Sequence, residues 1–285
     1  MIDISSLDES IKMAEERFEN LRPNIEKKIL WAQKPSFKTK ISLVFIHGFS
    51  ASRAELSPVI ESIAKELKAN VFFTRLSGHG QDAKALGDAT CNDWMEDTHD
   101  AIDIGRVIGD DVILIGCSTG CSLIHVALEH VNKIKAVIYV SPNFGPSSHK
   151  GQLLRAPGAR WFIPLLFGKE HSFIPKNAEH ERCWTTSYNS KVLFEVKDSV
   201  VSAHKVKHSK IKVPILFWFS DEDQIVSAKA TRRVIAKMGD NASVYNPLLT
   251  SEDDSSKHGI LGDILSASQT HNGVNKIVDW LKKNN

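Results

Sequence analysis

The chain has 285 residues, 42% hydrophobic and 25% charged, which is the ordinary range of a globular protein with a full core, organised as a single domain carrying one insertion. Its 36 basic and 34 acidic residues leave a formal net charge of +2, so no long-range field recruits nucleic acid or an anionic membrane, and the partner expected is a small molecule. Four cysteines (Cys91, Cys117, Cys121, Cys183) show no C-x-x-C or histidine spacing for zinc and read as reduced core fillers. No metal and no cofactor is expected. The acidic N-terminal stretch and the lack of any 18-residue apolar run argue against a signal peptide or stable membrane insertion, and a cytoplasmic location is the expectation.

Hydrophobic periodicity predicts a helix within residues 1–21 through Ile11, Ala14, Phe18 and Leu21, then a strand from Ile25 to Gln33. A strand at 41–46 follows. The next helix is predicted to start with Ser57 as cap and Pro58 at its first position, burying Ile60, Ile63, Ala64 and Leu67. Strands at 70–75, 111–116 and 136–140 alternate with helices near 92–108 and 119–131. Between Ser141 and Ser190 the alternation gives way to prolines, glycines and aromatics. The runs Val213–Phe219 and Ala242–Leu248 give the last strands, and Val274, Ile277, Val278 and Leu281 mark a closing helix. This order predicts an α/β fold with a mostly parallel sheet covered by helices on both faces.

One motif carries chemistry. Gly116-Cys117-Ser118-Thr119-Gly120 follows the apolar run Val112-Ile113-Leu114-Ile115 and precedes the helical pattern Leu123, Ile124, Ala127, Leu128, Val131. A serine in a tight strand-to-helix turn exposes its hydroxyl only where its flanks are nearly bare, and glycines supply that room. The strand Ile41–Ile46 also runs into His47-Gly48-Phe49-Ser50, a turn suited to aiming a backbone N–H at a developing oxyanion. Phe49 and Thr119 are the predicted oxyanion-hole donors.

The order H-G-F, G-C-S-T-G, an acidic cluster after a late strand, and a following histidine resembles the α/β-hydrolase superfamily. Within it the chain looks most like the carboxylesterase and monoacylglycerol-lipase-like branch. The loop Arg75-Leu76-Ser77-Gly78-His79-Gly80 is similar to the G-H-G segment of those proteins. The resemblance spans roughly residues 25–283, with poor correspondence near 146–190. It implies a triad in the chain order serine, acid, histidine.

A serine nucleophile needs an imidazole to take its proton and a carboxylate to orient that imidazole. His125 and His130 are expected on a helix surface, His47 and His79 in turns bonded to backbone, and six further histidines precede the acidic cluster. His258, after the polar loop Thr250–Lys257, is preferred over His271, which is expected to start the last helix. Asp223, followed by Gln224-Ile225-Val226, resembles the family's D-x-V-V element; Asp221 is the alternative, and Asp253 and Asp254 are expected to be solvated. The insertion at about 145–190 reads as a cap, with Trp161, Phe162, Leu165, Leu166 and Phe167 expected to contact substrate. The function expected is hydrolysis of a carboxylic ester of modest size through an acyl-enzyme on Ser118. A thioester or small amide would use the same groups, and a non-catalytic binding protein is the reading from another class.

Overall fold

A computed structural model describes residues 3–148, 151, 153–156, 158–160 and 168–284. The expected cap contacts Trp161, Phe162, Leu165, Leu166 and Phe167 lie outside the described residues. The first half runs α1 (Leu7–Glu15), β1 (Lys28–Leu30), β2 (Thr39–Ile46), α2 (Val59–Leu67), β3 (Asn70–Phe73), α3 (Ala83–Asp88), α4 (Cys91–Ile108), β4 (Gly109–Cys117), α5 (Thr119–Ala127) and β5 (Ile134–Val140). The second half adds β6 (Glu170–Ser172), α6 (Ala178–Cys183), β7 (Ser187–Asn189), α7 (Val192–Lys205), β8 (Ile215–Trp218), α8 (Ala228–Ile235), β9 (Ala242–Tyr245) and α9 (Asp263–Lys283).

Seven strands form one sheet in the order β1-β3-β2-β4-β5-β8-β9. All neighbours are parallel except β1, which runs antiparallel to β3. Period-2 alternation splits each central strand between two apolar layers. Val44, Val112, Leu114 and Tyr139 face one layer, packed with α4 and α5; Leu43, Phe45, Ile113 and Ile138 face the other, packed with α2 and α9. From β2 the chain moves outward to β3 and returns on the opposite side as β4. The C-terminal ends of β2 and β4 therefore flank a switch in strand order, where open α/β sheets leave a crevice.

Several expected boundaries shift for local reasons. The first helix stops at Glu15 rather than near residue 21, because the Glu15 carboxylate turns inward: it accepts two hydrogen bonds from Arg75 at 2.7 and 2.8 Å and one from the Lys27 N–H at 2.9 Å. The first strand shrinks to Lys28–Leu30. Ser57 does not cap α2. It closes a short 3-10 turn over Arg53–Leu56, and its hydroxyl donates to Glu61 Oε1 at 2.9 Å. In the segment between β5 and β8, the short antiparallel pair β6–β7 precedes α7, whose Val192 and Ala203 join the core beside Leu123 and Ala127 of α5.

The Glu15–Arg75 pair joins α1 to the loop after β3 with side chains only 7% and 3% exposed. Removing one member of a buried pair strands the other charge, which costs about 3–5 kcal/mol, whereas replacing both with apolar groups is often close to neutral. Glu15→Ala is therefore expected to lower the urea midpoint by far more than the double variant Glu15→Leu with Arg75→Met. Equal losses in the two would show that the pair acts only through packing.

Candidate active site

Ser118 stands where β4 hands over to α5, with φ 48° and ψ −113°, a conformation sparsely populated by residues with a side chain. The neighbouring glycine explains how the turn fits. A Cβ at Gly120 would lie 2.1 Å from the Ile46 carbonyl oxygen and 2.8 Å from that of His47, so only glycine lets α5 start directly beneath the end of β2. The Ser118 N–H donates to the Val140 carbonyl at 2.9 Å, and its own carbonyl accepts from Asn143 N–H at 3.1 Å. The serine is thereby fixed at the mouth of the crevice.

The structure brings Ser118, His258 and Asp223 into one hydrogen-bonded chain. His258 Nε2 is 3.1 Å from Ser118 Oγ, and His258 Nδ1 is 2.7 Å from Asp223 Oδ2. The other Asp223 oxygen accepts the N–H groups of Ile225 and Val226 at 2.8 and 2.9 Å, which aims the carboxylate at the imidazole. Burial opposes charge on His258, but the Asp223 carboxylate and its hydrogen bond outweigh it, so the imidazole titrates above its ordinary value.

The loop that carries His258 is held by a second acid. Asp254 Oδ2 accepts the N–H groups of His258 at 3.1 Å and Gly259 at 2.8 Å and the Ser256 hydroxyl at 2.5 Å; Oδ1 pairs with Lys176. The hydroxyl of Ser266, at a kink in α9, accepts the Asp254 N–H and donates to the Gly259 carbonyl. From β5's end, the Ser141 hydroxyl donates to the His258 carbonyl at 2.6 Å. Asp253 is buried too, accepting from Thr250, Ser268 and Gln269. The expectation that Asp253 and Asp254 are solvated is thus incorrect: both are only about 5% exposed, because the polar loop folds inward onto its own backbone N–H groups.

The backbone N–H groups of Phe49 and Thr119 have no acceptor among the described residues, and both residues line the same cavity as Ser118 and His258. That cavity measures about 490 Å³. Its described apolar wall includes Leu154, Phe173, Trp184, Tyr188, Leu193 and Val196.

Other candidates fall away from it. Asp221 is bound to Arg232 at 2.7 and 2.5 Å on the surface, and His271 lies exposed within α9 rather than at its start, beside Asn275. His125 is fully buried, not on the helix surface as expected, since α5 is covered by the sheet on one side and α7 on the other; its Nε2 is 2.8 Å from His208 Nδ1. Burial pushes it down to about 3. His47 and His79 do bond to backbone. Burial pushes the thiols of Cys117 and Cys121 well above their ordinary value, so neither offers a thiolate. Sequence reasoning passed over Glu55, whose carboxyl oxygen accepts the Gly48 N–H at 2.7 Å beside the site; the signal was a lone acid within the turn that follows His47-Gly48-Phe49.

A model of the alpha/beta hydrolase family matches residues 43–246. No curated protein matches the chain. Among solved structures, that of the metagenome-derived lipolytic enzymes LipS and LipT superposes with a TM-score of 0.74 at 17% identity, over 92% of this chain and 99% of that one. A monoacylglycerol lipase from Paleococcus ferrophilus gives 0.66 at 18% identity over 91% and 98%. A soluble variant of monoglyceride lipase from Saccharomyces cerevisiae, in complex with a substrate analog, gives 0.63 at 14% identity over 93% and 97%. With the nucleophile-elbow geometry, the parallel sheet and a family model covering most of its length, this chain belongs to the alpha/beta hydrolase family.

Proposed function

We propose that the protein is a serine hydrolase that cleaves carboxylic esters of short to medium acyl length through an acyl-enzyme on Ser118. The observation that carries the reading is the hydrogen-bonded order Ser118–His258–Asp223 beside an apolar cavity. Lipase and monoacylglycerol lipase names among its structural neighbours agree with it.

Ser118 Oγ–H donates to His258 Nε2 while His258 Nδ1–H donates to Asp223. As Oγ attacks the ester carbonyl, the imidazole takes the proton and Asp223 stabilises the resulting cation. The Phe49 and Thr119 N–H groups receive the oxyanion. His258 then protonates the departing alcohol, and a water activated by the same imidazole releases the acid. Thioesters and small amides fit the same steps. A cap over residues 145–190, with Trp161, Phe162, Leu165, Leu166 and Phe167 against the acyl chain, completes the reading.

A fluorophosphonate probe followed by peptide mass spectrometry is expected to place the adduct on Ser118. Loss of one triad member leaves a residue of activity from the oxyanion hole and binding, so Ser118→Ala and His258→Ala should each lower kcat on p-nitrophenyl butyrate by roughly 10³-fold or more. Label on another serine, or undiminished turnover by Ser118→Ala, would exclude the assignment, and the absence of both label and turnover in the wild type would leave a binding protein on this fold.

The pH dependence follows from the sign of the His258 shift. The imidazole must be neutral to accept the Ser118 proton, and its value is raised, so kcat/KM should climb with pH through a midpoint above 6.5. Asp223→Asn removes the carboxylate that raises it and should move that midpoint to lower pH while kcat drops by about 10³–10⁴-fold.

Burying a methylene is worth about 0.8 kcal/mol, so kcat/KM should rise from acetate through butyrate to hexanoate esters until the cavity is filled. A flat chain-length profile would remove the apolar wall from the acyl site.

Asp254→Asn keeps the size of the side chain but withdraws the charge from Lys176 and from the His258 and Gly259 N–H groups. Hydrogen bonds to charged groups are worth about 1.5–3 kcal/mol, so chemical denaturation should show a loss in that range. Unchanged stability would mean that Ser141 and Ser266 suffice to hold the loop.

A further inference from the structure

Glu55 lies in the 3-10 turn Arg53–Leu56 and lines the cavity with Ser118 and His258. Its Oε2 accepts the Gly48 N–H at 2.7 Å. The point where a Cβ of Gly48 would stand is 2.7 Å from Glu55 Oε1 and 3.2 Å from Ser118 Cβ, so the carboxyl, the oxyanion turn and the nucleophile crowd one spot. The groups that face it are the Cys117 thiol at the end of β4, within hydrogen-bond reach, the buried Cys121 thiol of α5, and the His258 imidazole from the loop before α9. On its own turn, Arg53 is engaged with Glu26 and does not neutralise it. Among the described residues no cation pairs with this carboxyl.

A negative charge there would oppose the oxyanion that the Phe49 and Thr119 N–H groups are placed to receive. A carboxylic acid keeps the hydrogen bond and removes the charge, because its carbonyl oxygen still accepts from Gly48. We propose that Glu55 is a positioning residue that works as a neutral acid, fixing the Gly48–Phe49 turn so that the Phe49 N–H meets the oxyanion, and that its ionisation weakens the site. The inference rests on the acyl-enzyme reading of Ser118. Burial pushes the carboxyl up to about 7, despite the Gly48 N–H, which favours the charged form. The acid therefore predominates below that value and the carboxylate above it.

The test compares Glu55→Gln and Glu55→Ala with the wild type on p-nitrophenyl butyrate from pH 6 to pH 9. Gln keeps an acceptor for Gly48 and carries no charge; Ala keeps neither. At pH 6, Ala should lower kcat by about tenfold or more with KM little changed, and Gln by less than about threefold. A charged Glu55 both opposes the oxyanion and raises the His258 imidazole, and both effects fall on the wild type alone, so the ratio of Gln-variant to wild-type kcat should rise by about fivefold or more as the wild-type carboxyl ionises. A constant ratio, or equal losses in Ala and Gln, would overturn the proposal. Infrared difference spectra give a readout that needs no turnover: a protonated carboxyl band at pH 6, lost by pH 9 and absent from Glu55→Gln. Its absence from the wild type at pH 6 would overturn the neutral acid even if Ser118 labels as expected, whereas undiminished turnover by Ser118→Ala with the band present would overturn the acyl-enzyme reading alone.

Discussion

Gly120 packs so closely against the carbonyl oxygens of Ile46 and His47 that a single methyl group would not fit between them. Everything in the crevice depends on that contact. It seats the first turn of α5 under the end of β2, which places the Ser118 turn and the His47–Phe49 turn side by side although they are some 70 residues apart in sequence. The parallel pairing of β2 with β4, in register from Thr39 opposite Gly109 to Ile46 opposite Gly116, brings the two strand ends level. Two apolar layers then hold the sheet rigid from either side, so the positive φ of Ser118 is imposed by surroundings that do not yield.

The third side of the site is built differently. His258 reaches Ser118 across 140 residues and Asp223 across 35, from a loop with no regular structure. Polar anchors replace strand pairing there. Asp254 gathers N–H groups that a helix or strand would otherwise satisfy, Ser266 bridges the loop to the start of α9, and Ser141 ties it to β5. A buried acid satisfied by several donors stiffens a loop as effectively as a ladder does, provided no lone pair is left idle.

Sequence periodicity revealed the sheet because its central strands are apolar runs flanked by helices with one greasy face, and both patterns are local. The elbow was equally legible, since glycine, serine and glycine at fixed spacing answer to a steric demand within one turn. The burial of Asp253, Asp254 and His125 was not. A polar loop looks solvated until the N–H groups it folds onto are known, and α5 carries a histidine into the core because α7, a helix not predicted from the sequence, covers it. The start of α9 at Asp263 rather than near His271 was hidden for a related reason: its first turns carry Ser266 and Gln269, which point inward to serve the loop rather than display an apolar face.

The two carboxyls that flank the imidazole show how surroundings divide one chemistry into two. Asp223 receives two backbone N–H groups on one oxygen and the imidazole on the other. Glu55 receives a single backbone N–H, has the Cys117 and Cys121 thiols as neighbours, and has no cation paired with it among the described residues. Desolvation therefore outweighs the one N–H at Glu55. On the proposed acyl-enzyme reading, a charge on Glu55 would add to that of Asp223 in favouring the imidazolium, whereas a neutral Glu55 leaves the imidazole freer to accept the Ser118 proton and return it to the leaving alcohol.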